Sequence, residues 1–100
     1  MNMLYMMFDK NNCMVKIGYT SNIEGRKRYY KTHNPSAEMR WKCSGETTQE
    51  KKAREDLAQI ANTRVGRTEW FEVSDSVYEM LYQSGFECIN SRKKVINRFA

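Results

Sequence analysis

Arg26, Lys27, Arg28 and Lys31 crowd four cations into six positions, with Tyr29 and Tyr30 between them. Arginine presents a planar fork of donors that matches phosphate oxygens, and lysine adds a compact charge. Tyrosine supplies a hydroxyl and a flat face for a base or sugar. The cluster follows Lys16-Ile17-Gly18-Tyr19, where an apolar run meets a glycine before Thr20, Ser21 and Asn22. A glycine there lets a phosphate or a neighbouring side chain approach the backbone. The pattern suits a phosphodiester substrate, and its plainer reading is a solvated basic helix face. His33, two residues before Pro35, offers either a general base or a favourable charge at a helix C-terminus. Glu50 offers a metal ligand or half of a capping box. Glu55 and Asp56 offer ligands or exposed charges. Arg92, Lys93, Lys94 and Arg98 provide a second set of phosphate contacts or a frayed tail.

Composition narrows the classes of function. The net charge of +5 and pI near 9.2 favour an anionic partner, nucleic acid first. The three cysteines, Cys13, Cys43 and Cys88, are odd in number and far apart, so neither a disulfide framework nor a zinc cluster with His33 fits. Reduced thiols point to the cytoplasm. No apolar run reaches the roughly 18 residues that read as a spanning helix, so no membrane role is expected. The opening MNMLYMMFDK lacks a basic n-region and a cleavage site and does not read as a signal peptide. Walker and dinucleotide fingerprints are absent. One hundred residues predict a single domain over 1–90 and a basic tail over 91–100.

Positioning these groups requires strands and helices in a definite order. Met3 to Asp9 and Cys13 to Tyr19 read as a hairpin through Lys10-Asn11-Asn12. Asn22 caps a helix from Ile23 to about Thr32, and Pro35 closes it. AEMRWKCS alternates with period two, placing Met39, Trp41 and Cys43 on one face of a strand. Thr47 or Thr48 caps a second helix to about Asn62, with Thr47 and Glu50 matching a capping box. Glu69 to Val73 reads as a strand, Ser74 or Asp75 caps a third helix ending at Gly85, and Phe86 to Ile89 reads as an edge strand. The class is α+β, an antiparallel or mixed sheet with helices packed on it.

MLYMMFDKNNCMVKIGYTSN, an arginine in the next helix and the later RVGRTEWFEV together resemble the GIY-YIG nuclease superfamily. More narrowly, they resemble its small phage and bacterial branch with a KIG-type second motif and a downstream Glu-Trp-Phe. The resemblance covers Met3 to Val73. It implies a small three-stranded antiparallel sheet flanked by helices and hydrolysis of a DNA phosphodiester with one divalent cation, Mg²⁺ or Mn²⁺. It assigns catalytic roles to Tyr5, Lys16, Tyr19 and Arg26. Tyr5 is to take a proton from water, its acidity increased by Lys16 and a cation. Glu50, with Glu55 as alternate, is the implied metal ligand, and Arg54 stands nearest the place of a histidine usual on that helix. Gly18, Lys27, Arg28, Lys31 and His33 are expected against nucleic acid, with Gly18 ending its strand so that the backbone clears the substrate. A homodimer or protein partner is compatible, as is an inactive binding module on the same fold. A phage-encoded chain of this kind would act in the host cytoplasm.

Overall fold

The chain opens with a hairpin of β1 (Met3–Asp9) and β2 (Met14–Thr20). Buried Asp9 closes its turn, accepting hydrogen bonds from the Asn12 backbone N–H at 3.3 Å and the Asn12 side-chain amide at 3.0 Å. Cys13 completes the turn with φ of 52°, an unusual conformation for a residue with a side chain. The computed structural model describes residues 2–89 and 98–99. After the hairpin come α1 (Ile23–His33), β3 (Ala37–Ser44), α2 (Thr47–Ile60), β4 (Thr63–Arg64), β5 (Trp70–Glu72), α3 (Asp75–Ser84), α4 (Phe86–Ile89) and β6 (Arg98–Phe99).

The α+β class holds, but the sheet is wider than the expected three strands. Among the described residues it has six, in the order β4-β5-β2-β1-β3-β6, and all pairs are antiparallel. Of the strands beyond those three, β5 lies within the strand read over Glu69 to Val73, whereas β4 and β6 are two residues long, too short for a period to reveal them. Phe86 to Ile89 is a helical turn and not an edge strand. Gly85, at φ of 60°, redirects the chain there and drops Phe86 into the core. A Cβ on Gly85 would stand 2.8 Å from the Trp41 ring. Arg92, Lys93 and Lys94 lie outside the described residues.

The two faces of the sheet are covered very unequally. On the core face, Leu4, Met6, Phe8, Val15 and Ile17 meet α2 and α3 through Leu57 and Leu81. Burying each such side chain contributes about 1.5–3 kcal/mol. On the other face α1 buries only Tyr30, against Tyr5 and Met7. β1 is therefore buried on both faces, as a central strand should be.

A bulge breaks the expected alternation in β3. Met6 pairs with Trp41 and Met7 with Met39, which leaves Arg40 as the extra residue. Trp41 and Cys43 enter the core, while Met39 turns to the thin face beside Met7. No helix among the described residues is long and apolar enough to cross a membrane.

Gly18 lies inside β2, opposite Tyr5, and does not end the strand. A Cβ built there would stand 2.2 Å from Tyr5 Cζ and 2.3 Å from its hydroxyl oxygen. The bare backbone makes room for the Tyr5 ring, which is only 2% exposed and has little space to retreat. Gly18→Ala is expected to lower stability by about 1–3 kcal/mol through overpacking, measured by urea denaturation. An unchanged midpoint would contradict this packing.

Candidate functional site

A continuous polar chain built from five parts of the sequence starts on the thin face and passes around the edge of β2 to α2. Tyr5 of β1 points its hydroxyl at that of Tyr30 on α1, 3.3 Å away. Lys16 of β2 donates to the same Tyr30 hydroxyl and pairs with Glu69, just before β5, at 3.4 Å. Arg54 of α2 then bridges Glu69 at 3.6 Å and Glu50 at 3.0 Å.

Local structure explains each placement. Strand alternation sends Lys16 and Gly18 to the side opposite Val15 and Ile17. Asn22 caps α1, its side-chain oxygen accepting from the Gly25 N–H at 3.0 Å, and sets the phase of the helix. Arg26 and Tyr30, four apart, then share a face. Glu50 continues the buried stripe of Ala53 and Leu57 toward the N-terminus of α2. β5 pairs with β2 only over Met14 to Lys16. Beyond Lys16 that side of β2 is open, and Glu50 approaches Lys16 and Glu69 there closely enough to feel both charges.

The expected capping box is displaced by one residue. Glu46 is the N-cap, and its N–H donates to Gln49 Oε1 at 2.7 Å. Glu50 is thereby released from any capping duty.

Electrostatics at Tyr5 run against the expectation. Burial, then the Tyr30 hydroxyl, push the Tyr5 phenol well above its ordinary range, and Arg26 is the group that opposes them. Lys16 donates to Tyr30, pairs with Glu69 and stands 6.0 Å from the Tyr5 ring centroid. Burial raises the Glu50 carboxyl, with Arg54 acting against it, Glu69 reinforcing it and Lys16 opposing it.

Other expected residues divide clearly. Tyr19 packs with the core cluster, on the face opposite Tyr5, and does not join the site. Alternation with Lys16 and Gly18 puts it there. His33 stacks on Tyr29 with ring centroids 4.2 Å apart, and its Nδ1 lies 2.9 Å from the Tyr29 carbonyl oxygen. Lys27 is 3.7 Å from Glu24, while Arg28 and Lys31 are exposed on α1. Gly18 is buried beneath Tyr5. Glu55 lines a cleft of about 310 Å³ with Lys51, Arg54, Arg64 and Glu69. Sequence reasoning missed Tyr30 and Glu69 as members of the site. The Arg26 to Tyr30 spacing was a usable signal, whereas Glu69 was visible only as a motif landmark.

Among the described residues, no group of three or more His, Cys, Asp or Glu forms a metal cluster. Mg²⁺, however, commonly takes one or two carboxylates and completes its shell with water and substrate phosphate. Glu50 and Glu69 are the two carboxylates of this network, both held to the Arg54 guanidinium.

Residues 2–97 match the T5orf172 domain. The chain belongs to the T5orf172 family. T5orf172 is a domain found in phage and bacterial endonuclease-like proteins. The T5orf172 match includes every member of the chain from Tyr5 to Glu50. No curated protein and no solved structure matches this sequence.

Two outcomes follow from this arrangement. Burial also pushes Tyr78 up to about 12. An unfolded chain ionises its tyrosines near pH 10, before the folded chain does, so stability should fall as pH rises above about 10. Tyr5→Phe should make that fall shallower in urea denaturation followed across alkaline pH, and an identical slope would contradict the burial of Tyr5. Glu50→Gln removes a desolvated charge, so its melting temperature should equal or exceed that of the wild type. A marked drop would mean that the carboxylate is structural.

Proposed function

We propose that this chain is a metal-dependent endonuclease of the GIY-YIG type that hydrolyses phosphodiester bonds in DNA. The observation that carries this reading is the network that joins Tyr5 and Lys16 on the thin face, with Arg26 above them, to Glu50 of α2 around the open edge of β2. Tyr5 and Lys16 meet on Tyr30, Arg26 acts on the Tyr5 phenol, and Glu50 senses Lys16. The network is neutral in sum, with Lys16 and Arg54 against Glu50 and Glu69. Arg26 is then the added positive charge facing a phosphate.

Each residue has a physical task. Arg26 offsets charge that develops on the phosphoryl oxygens, where a preorganised donor contributes most. Tyr5, neutral and fixed between Gly18 and Tyr30, orients the attacking water through its hydroxyl. Its service as the base requires Arg26 and a cation to offset its burial. Glu50, with Glu69 beside it, would hold Mg²⁺ or Mn²⁺, which supplies Lewis acidity at the leaving oxygen. Lys16 keeps Tyr30 and Glu69 in place.

A second reading, a binding module without catalysis, is favoured by the 3.0 Å pairing of Glu50 with Arg54. A guanidinium on the metal carboxylate competes with the cation.

Incubation with supercoiled plasmid at low salt, with Mg²⁺ or Mn²⁺, separates the two. Nicking should require the metal, and Arg26→Ala should slow it about 100-fold or more. Tyr5→Phe and Glu50→Gln should also abolish most of it while remaining folded. Retarded but intact plasmid, indifferent to metal, would establish the binding module instead.

A further inference from the structure

The thin covering of one sheet face leaves a groove of about 230 Å³ beside α1. Met7, Met39 and Ala37 give it an apolar lining, Lys27 and Lys31 supply charge, and Tyr30 forms one wall. Met39 is there because the β3 bulge turned it away from the core. Thioethers are polarizable and favour contact with flat π-systems. A gap left only by poor packing has no need of two lysines. The charge and the apolar lining together complement a nucleotide, with a phosphate for the lysines and a base for Met39 and Ala37, which are half-buried where Met7 is fully buried.

Tyr30 joins this groove to the proposed reaction centre. Its ring walls the groove, and its hydroxyl meets both Tyr5 and Lys16. The Tyr5 and Tyr30 rings meet edge to face, their centroids 6.1 Å apart. A base seated in this groove has left its stack and its pairing partner, so the groove takes an unpaired nucleotide.

We infer that the groove binds an unpaired nucleotide next to the linkage held at Tyr5, its base against Met39 and Ala37 and its phosphate between Lys27 and Lys31. The inference rests on the endonuclease reading and narrows the substrate to single-stranded or locally unpaired nucleic acid.

The test uses the full chain, without divalent metal, and fluorescence anisotropy. The probes are a labelled thymidine oligonucleotide of about twelve nucleotides, its duplex with the complementary strand, and an abasic strand of equal length. The thymidine strand should bind about tenfold more tightly than either comparison strand, the scale expected for base stacking on a protein surface. Ala37→Phe fills the groove and should erase the advantage over the abasic strand while leaving the backbone contribution. Lys31→Ala, at an exposed position that leaves the fold alone, should lower the salt dependence of binding by about one ion. Equal binding of single strand and duplex overturns the inference. So does an Ala37→Phe protein that melts like the wild type and keeps the full advantage, or an unaltered salt dependence in Lys31→Ala. If plasmid is nicked but Ala37→Phe changes nothing, the groove assignment fails and the nuclease reading stands. If no metal supports nicking but Ala37→Phe erases the advantage, the nuclease reading fails and the groove stands as a single-strand site.

Discussion

The ring of Tyr5 lying across the bare backbone of Gly18 is the contact on which the thin face depends. It holds the phenol flat enough for Tyr30 to meet it, and Tyr30 is the only residue that α1 buries. A helix this polar has little apolar surface to secure it elsewhere. Its position over the sheet therefore follows from a tyrosine pair, and Arg26, Lys27 and Lys31 are carried with it. A methyl group at Gly18 would disturb all of them at once.

The division of labour between the faces has an energetic logic. Leu57 and Leu81 are fully buried and, with Phe8, Val15 and Ile17, supply the hydrophobic stabilisation on the core side. The other side can then keep desolvated polar groups, a buried phenol and an open groove, none of which favours folding. Such concentration of locally unfavourable features on one surface is the usual physical sign of a working site.

Alternating charges hold that surface together. Lys16 and Arg54 each contact Glu69, and Arg54 continues to Glu50, so both carboxylates of this network have a cation. Individual pairs with exposed partners contribute little to stability. Their effect is positional, because a guanidinium shared by two carboxylates keeps both aimed at one place. Arg54 is also the residue that any bound cation must displace or accommodate.

Local patterns determined the order of the elements. The hairpin turn, the Asn22 and Ser74 caps and the Gly85 stop depend on nearest-neighbour chemistry, which a sequence displays directly. Tyr5, Lys16, Arg26 and Glu50 entered as candidates through the resemblance of their motifs. Only the tertiary structure decided which side chains share a face. A single extra residue at Arg40 moved Met39 from one side of the sheet to the other, and strict alternation took Tyr19 away from Lys16. The short strands, the helical turn at Phe86 and the meeting of Glu69 with Lys16 and Arg54 arise from contacts between distant segments. Propensity over a few residues carries no information about such contacts, because their energy exists only once the sheet has assembled.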